Sequence, residues 1–209
     1  MFLIVYQLSG GIKTPGSRPV SHASFRERKN MMKKTDTVRM TVSAMLLALG
    51  LLLPFLTANN RALGNMLSLM HIPVLLCGFI CGWPWGLAVG LITPLLRSLI
   101  IGMPPMVPAA LAMAAELAAY GAIAGILYKK LARGIPGILV SLIAAMLVGR
   151  AVWGIASFVI FSFMGTPFTF NAFLTAAFVS PWPGIVLHLI LIPAILIALE
   201  RAKFIPLKT

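Results

Sequence analysis

VPAALAMAAELAAYGAIAGILY, residues 107–128, contains one charged side chain, Glu116, and runs straight into Lys129 and Lys130. A helix rises 1.5 Å per residue, so roughly 20 apolar residues cross the hydrocarbon core of a bilayer. The stretch therefore reads as a membrane-spanning helix that carries a carboxylate at depth and ends on cations. The whole chain has the same character. Its 209 residues are 60% hydrophobic and 10% charged, with a mean hydropathy of +0.99, which leaves too little polar surface to cover a soluble globule.

Working outward from that helix, Pro, Gly and charge breaks place membrane spans at 38–57, 68–83, 85–102, 107–128, 136–163 and 173–199. The second is short, begins near His71 and Pro73, and joins the third through Gly82-Trp83-Pro84-Trp85-Gly86. It is expected to be tilted, irregular or shielded by its neighbours. A net charge of +13 would suggest nucleic acid in a soluble chain, but here the cations gather at span ends. Lys29, Lys33, Lys34 and Arg39 precede the first apolar run, Lys129, Lys130 and Arg133 follow the fourth span, and Arg201, Lys203 and Lys208 follow the sixth. Six spans put all three clusters on one side, which the positive-inside rule makes cytoplasmic. The predicted fold class is thus an all-α integral membrane protein with six helices and both termini inside, in a bacterial plasma membrane.

Residues 1–34 differ in composition, with Gly10, Gly11, Pro15, Gly16 and Pro19 ahead of Arg26, Arg28 and Lys29. They read as a disordered basic extension, because the apolar run at 2–6 is too short for a signal-peptide core. A translation start at Met31 or Met32 is the expectation. Residues 35–203 form the membrane domain and 204–209 a short tail.

Apart from Arg39 at the very start of the first span, Arg97, Glu116 and Arg150 are the charged side chains inside the predicted spans. A charge at bilayer depth costs at least ~2.5–3.5 kcal/mol on insertion scales, so each marks a site unless it snorkels or pairs. Glu116 neutralises one arginine, and a surplus cation suits an anionic or strongly hydrogen-bonding small molecule. Arg97 lies close enough to its helix end to snorkel; Glu116 and Arg150 are deeper, and a structural ion pair is the plain alternative for them. Trp153 follows Arg150 by three residues and shares its helix face. His188 is a pocket candidate in the sixth span, and His71 reads as a helix opener. Cys77 and Cys81, four residues apart, read as buried structural thiols without a metal or disulfide role. Gly78, Gly82, Gly86 and Gly90, with Gly121 and Gly125, repeat every four residues, a spacing that lets helices pack closely in lipid.

Ala44-Met45-Leu46-Leu47-Ala48 on the first span, the polar loop Asn59-Asn60-Arg61, and His71-Ile72-Pro73-Val74-Leu75-Leu76 leading to Gly82-Trp83-Pro84-Trp85-Gly86 and Gly90 come in a telling order. Over residues 35–200 the chain resembles the substrate-binding S component of an energy-coupling factor vitamin transporter. That resemblance implies six helices, an outward-opening pocket roofed by the loops after helices one, three and five, and a small-residue face on helix one that docks on a transmembrane coupling subunit. It implies two ATP-binding subunits as further partners. Ala44 and Ala48 match the docking motif, and Asn59, Asn60 and Asn171 would fall on the lid.

The expected function is high-affinity binding of a water-soluble vitamin for import, with Arg97, Glu116, Arg150, Trp153, Asn59, Asn60, Asn171 and His188 as substrate contacts. An anionic vitamin such as pantothenate ranks first, ahead of riboflavin or a pyridoxine-like compound. No cofactor or metal is expected, and no phosphate-binding Gly-x-x-x-x-Gly-Lys-Ser/Thr loop occurs, so energy must come from partners or an ion gradient. The other classes weighed are a membrane-embedded lipid-modifying enzyme, an autonomous proton-coupled carrier using Glu116, and a ligand-free structural subunit. Ser98, Ser141, Ser157 and Ser162 lack the settings of a membrane serine protease.

Overall fold

The computed structural model describes residues 22–57, 64, 66–131 and 134–202. Internal contacts divide the chain into Met1–Asp36 and Thr37–Thr209. The first unit contributes the start of α1, His22–Leu52, which therefore begins inside the predicted extension. The loop residues Asn59, Asn60 and Arg61 lie outside the described residues, as do 1–21 and the tail 203–209.

In the second unit α1 passes into a 3-10 turn, Leu53–Thr57. There follow α2 (His71–Cys81), α3 (Trp83–Ile101), a wide turn at Met106–Ala110, α4 (Leu111–Lys130), α5 (Ile135–Phe163), α6 (Phe170–Leu174) with a wide turn at Thr175–Val179, and α7 (Trp182–Arg201). Among the described residues, five stretches are long and apolar enough to cross a membrane: Asp36–Phe55, Trp83–Ile101, Met106–Lys130, Ile135–Phe163 and Trp182–Arg201. The chain is a multi-pass membrane protein built of helices.

Two predicted spans change. The second shrinks from 68–83 to the 11 residues of α2, all buried except Ile80. At 1.5 Å per residue α2 is only about 16 Å long. Its short length is tolerated because protein, not lipid, surrounds its ends. Gly82, at φ 94°, breaks the chain into α3, where Pro84 needs no amide hydrogen bond in the first turn. The sixth span, predicted from 173, starts instead at Trp182. Pro181 and Pro183 bracket that residue and separate the long helix from the short one before it.

The glycine spacing decides how α2, α3 and α4 meet. A Cβ on Gly78 or Gly86 would collide with the carbonyl of Gly121, one on Gly90 with the carbonyl of Leu117, and one on Gly125 with the backbone of Trp83. These helices touch backbone to backbone, so packing in lipid comes from close van der Waals fit. Gly82 makes the turn rather than the contact. Around this trio, Tyr120, Leu75, Leu142, Ile192 and Leu196 form a core shared by α2, α4, α5 and α7. Cys77 and Cys81 are buried free thiols, as expected, and Cys77 Sγ donates to Ser43 Oγ of α1 at 3.4 Å. Large apolar side chains such as Leu99, Ile155 and Ile190 face outward at 72%, 67% and 66% exposure, which suits a lipid-facing perimeter.

Candidate functional site

A cavity of about 520 Å³ lies among the ends of α1, α2, α3, α4, α5 and the short-helix segment after α5. Its wall includes Arg97, Glu116, Arg150 and Trp153, four of the residues singled out by their charge or spacing. That volume falls in the range of small-molecule sites. Most of the wall is apolar, with Met103, Pro104, Pro105 and Met113 contributed by α4 and the turn that leads into it.

α4 supplies the centre. Glu116 is 2% exposed and α4 also carries Tyr120 one turn on, so both point to the same side. Tyr120 Oη donates to Glu116 Oε1 at 3.0 Å. Arg150 Nη1 of α5 meets the same oxygen at 2.9 Å. Of the two candidate arginines, it is therefore Arg150 that contacts Glu116, and the ion pair ties α4 to α5. Gly149 makes room for this arrangement: a Cβ there would run into the ring of Tyr120. The pair is also part of the cavity wall.

Arg97 of α3 is 8% exposed and lines the same cavity. It sits in the protein wall of that cavity. Along α5, Arg150, Trp153, Ser157 and Phe161 follow at intervals of three, four and four, and all four line the cavity. One helix face thus runs cation, indole, hydroxyl, phenyl. Trp153 is held from behind: its ring stacks on Phe173 with centroids 6.3 Å apart and meets Phe168 edge-on at 6.0 Å. Gly154 allows Phe173 to come that close, since a Cβ would strike its ring.

His71, which reads from the sequence only as a helix opener, stands on the cavity wall. It opens α2, but Met70 holds the cap position and no side chain caps that helix. Instead its Nδ1 donates to the carbonyl of Ser68 at 3.1 Å, its Nε2 lies 3.7 Å from Glu116 Oε1, and it lines the cavity. His188 stands behind it, with ring centroids 6.0 Å apart. It is 2% exposed and does not itself reach the cavity wall. Tyr120, bonded to Glu116, and Ser157, on the wall, were not among the sequence candidates either. Spacing from Glu116 and Arg150 was the signal that would have found them. Asn171 is exposed on α6 and stands off the wall. Ala44 and Ala48 are exposed on α1, away from the buried Ser43 face.

Among the described residues no cluster of three or more His, Cys, Asp or Glu side chains has metal-site geometry. Two guanidinium groups, a carboxylate, an imidazole and an indole surround a mostly apolar space. A family model described as "ECF transporter, substrate-specific component" matches residues 38–199. Among curated proteins and among solved structures, none matches the chain.

Proposed function

Because the chain belongs to the family of ECF transporter substrate-specific components, whose members bind substrate and are not enzymes, we propose that its cavity captures an anionic water-soluble vitamin or related micronutrient for import. Pantothenate is the first candidate, with riboflavin and pyridoxine-like compounds next. The observation that carries this reading is the charge on the cavity wall: two arginines, Arg97 and Arg150, to one carboxylate, Glu116. In a low-dielectric wall, guanidinium groups favour carboxylate or phosphate oxygens, which they bind in a fork geometry.

In this reading Arg97 and Arg150 take the anionic end and Trp153 the body of the ligand. Glu116 orients Arg150. Asn171 and, outside the described residues, Asn59 and Asn60 contact the ligand when the mouth closes, and His188 supports the site from behind His71. Ala44 and Ala48 form the face that docks on a transmembrane coupling subunit, supported by their exposure on α1. Two ATP-binding subunits supply the energy. Six crossings with cytoplasmic termini, in a bacterial plasma membrane, complete the proposal; the basic residues closing α4 and α7 support it.

The test is to purify the protein from its native membrane, identify the co-purifying small molecules by mass spectrometry, and titrate the purified candidates by calorimetry. A bound anionic vitamin is expected. Recovery of a cationic or wholly apolar ligand would sink the charge argument.

A further inference from the structure

One contact in the cavity wall is unsatisfied by any arrangement that leaves His71 with a single proton. The Ser68 carbonyl only accepts, so the 3.1 Å contact requires the proton on Nδ1. The other ring nitrogen, Nε2, is buried without a hydrogen-bond partner and faces Glu116 Oε1 at 3.7 Å. With one proton on the ring, a lone pair therefore points at a carboxylate oxygen, two acceptors opposed and out of water. A second proton turns the same contact into an imidazolium–carboxylate pair. A shift of roughly 1 Å brings it to the length of a charge-assisted hydrogen bond. Glu116 then shares its charge between Arg150 and His71.

We propose that His71 and Glu116 together form a proton-binding site at the base of the cavity, and that the proton they hold frees the guanidinium of Arg150 to engage an anionic ligand. The second clause rests on the proposed function; the first does not. The groups around His71 agree with it. α4 brings Glu116 and Tyr120, whose ring lies 5.3 Å from that of His71. α5 brings Arg150 to the same carboxylate oxygen, α3 brings Arg97 to the same cavity, and α7 brings His188 at 6.0 Å. α1 meets α2 further along, where Ser43 contacts Cys77. Glu116 is the acid in this set, so a proton on His71 is held chiefly by it, against the nearby cations. Ligand and proton then bind with reciprocal positive coupling, and affinity for an anion rises as pH falls.

The chain has three histidines, His22, His71 and His188, so ¹⁵N-histidine NMR of the full protein in lipid nanodiscs resolves each ring, with His71→Asn and His188→Asn assigning the signals. The asparagine amide at 71 can still donate to the Ser68 carbonyl. The expected result is a doubly protonated His71 on the acid side that converts to the Nδ1-protonated neutral form as pH rises. Glu116→Gln should lower its proton affinity at least tenfold. Glu116→Asp, which retracts the carboxylate by one methylene and keeps the charge, should lower it less and covers the case in which the glutamine variant does not fold. A His71 ring that stays singly protonated throughout, or that titrates identically in wild type and in the folded Glu116 variant, overturns the proton site.

Saturating pantothenate is then added as the probe. It should raise the His71 midpoint, and an unmoved midpoint in a sample that calorimetry shows to bind it overturns the coupling. If pantothenate does not bind at all, only the vitamin assignment falls, because the ligand-free titration decides the proton site.

Discussion

Replacing Arg150 with methionine keeps most of the side-chain volume and removes the cation that faces Glu116. The two groups are 2.9 Å apart, with side chains 10% and 2% exposed. At that distance and an effective dielectric of ~20 their Coulomb attraction is about 6 kcal/mol. Much of this offsets the desolvation of burying both charges, so the pair as a whole adds little net stability. Removing one member is different, because the other stays buried and uncompensated, and the expected cost is about 3–5 kcal/mol. Glu116→Gln should cost less than Arg150→Met, since the amide oxygen still accepts from Tyr120 and the stranded arginine borders the cavity. The double variant, with no charge left at either position, should be more stable than the sum of the two losses implies by about 2–3 kcal/mol. Reversible unfolding in mixed micelles of graded denaturing-detergent content measures all four proteins. If the two single losses add in the double variant to within about 0.5 kcal/mol, the contact is not energetically real and the assignment of Arg150 as the partner of Glu116 fails.

Arg97→Ala should weaken binding of pantothenate, or of the anion identified by mass spectrometry, at least ~10-fold, about 1.4 kcal/mol. It should shift the unfolding midpoint less than Arg150→Met does; comparable shifts with unchanged affinity would make Arg97 purely structural. Ala44→Trp and Ala48→Trp should leave calorimetric affinity intact and abolish co-purification with a coupling subunit, whereas normal complex formation would remove α1 from the docking surface. Gly121→Val should destabilise the protein by about 1–3 kcal/mol, toward the upper end, because the obstruction is the backbone of Gly86, which has no rotamer to escape into. Unfolding and yield of folded protein after purification check it, and a neutral result would contradict the backbone contact between α3 and α4.

Which features were legible from the sequence depends on how local their physics is. Glycines at four-residue spacing fall on one helix face whatever surrounds them, and the structure uses Gly78, Gly86, Gly121 and Gly125 as that spacing suggests. Trp153 and Arg150 share a face for the same reason, and the same rule would have added Ser157 and, beside Glu116, Tyr120. The position of His71 was not legible because nothing near it in the chain signals its contacts. Its partners, Glu116 and His188, are 45 and 117 positions away, as their residue numbers give (116 − 71 and 188 − 71).

The sequence by itself determined that this is a helical membrane protein, where most of its long spans lie, and that three charges sit in the interior of those spans. Those conclusions follow from transfer free energies that each segment carries with it. Only the tertiary structure decided that Arg150 rather than Arg97 meets Glu116, that the second span is an 11-residue helix wrapped by its neighbours, and that one cavity collects groups from several helices. Those outcomes depend on how each helix is rotated about its axis and how far it is pushed in. Backbone contacts at the glycines set that rotation between chain segments far apart in sequence.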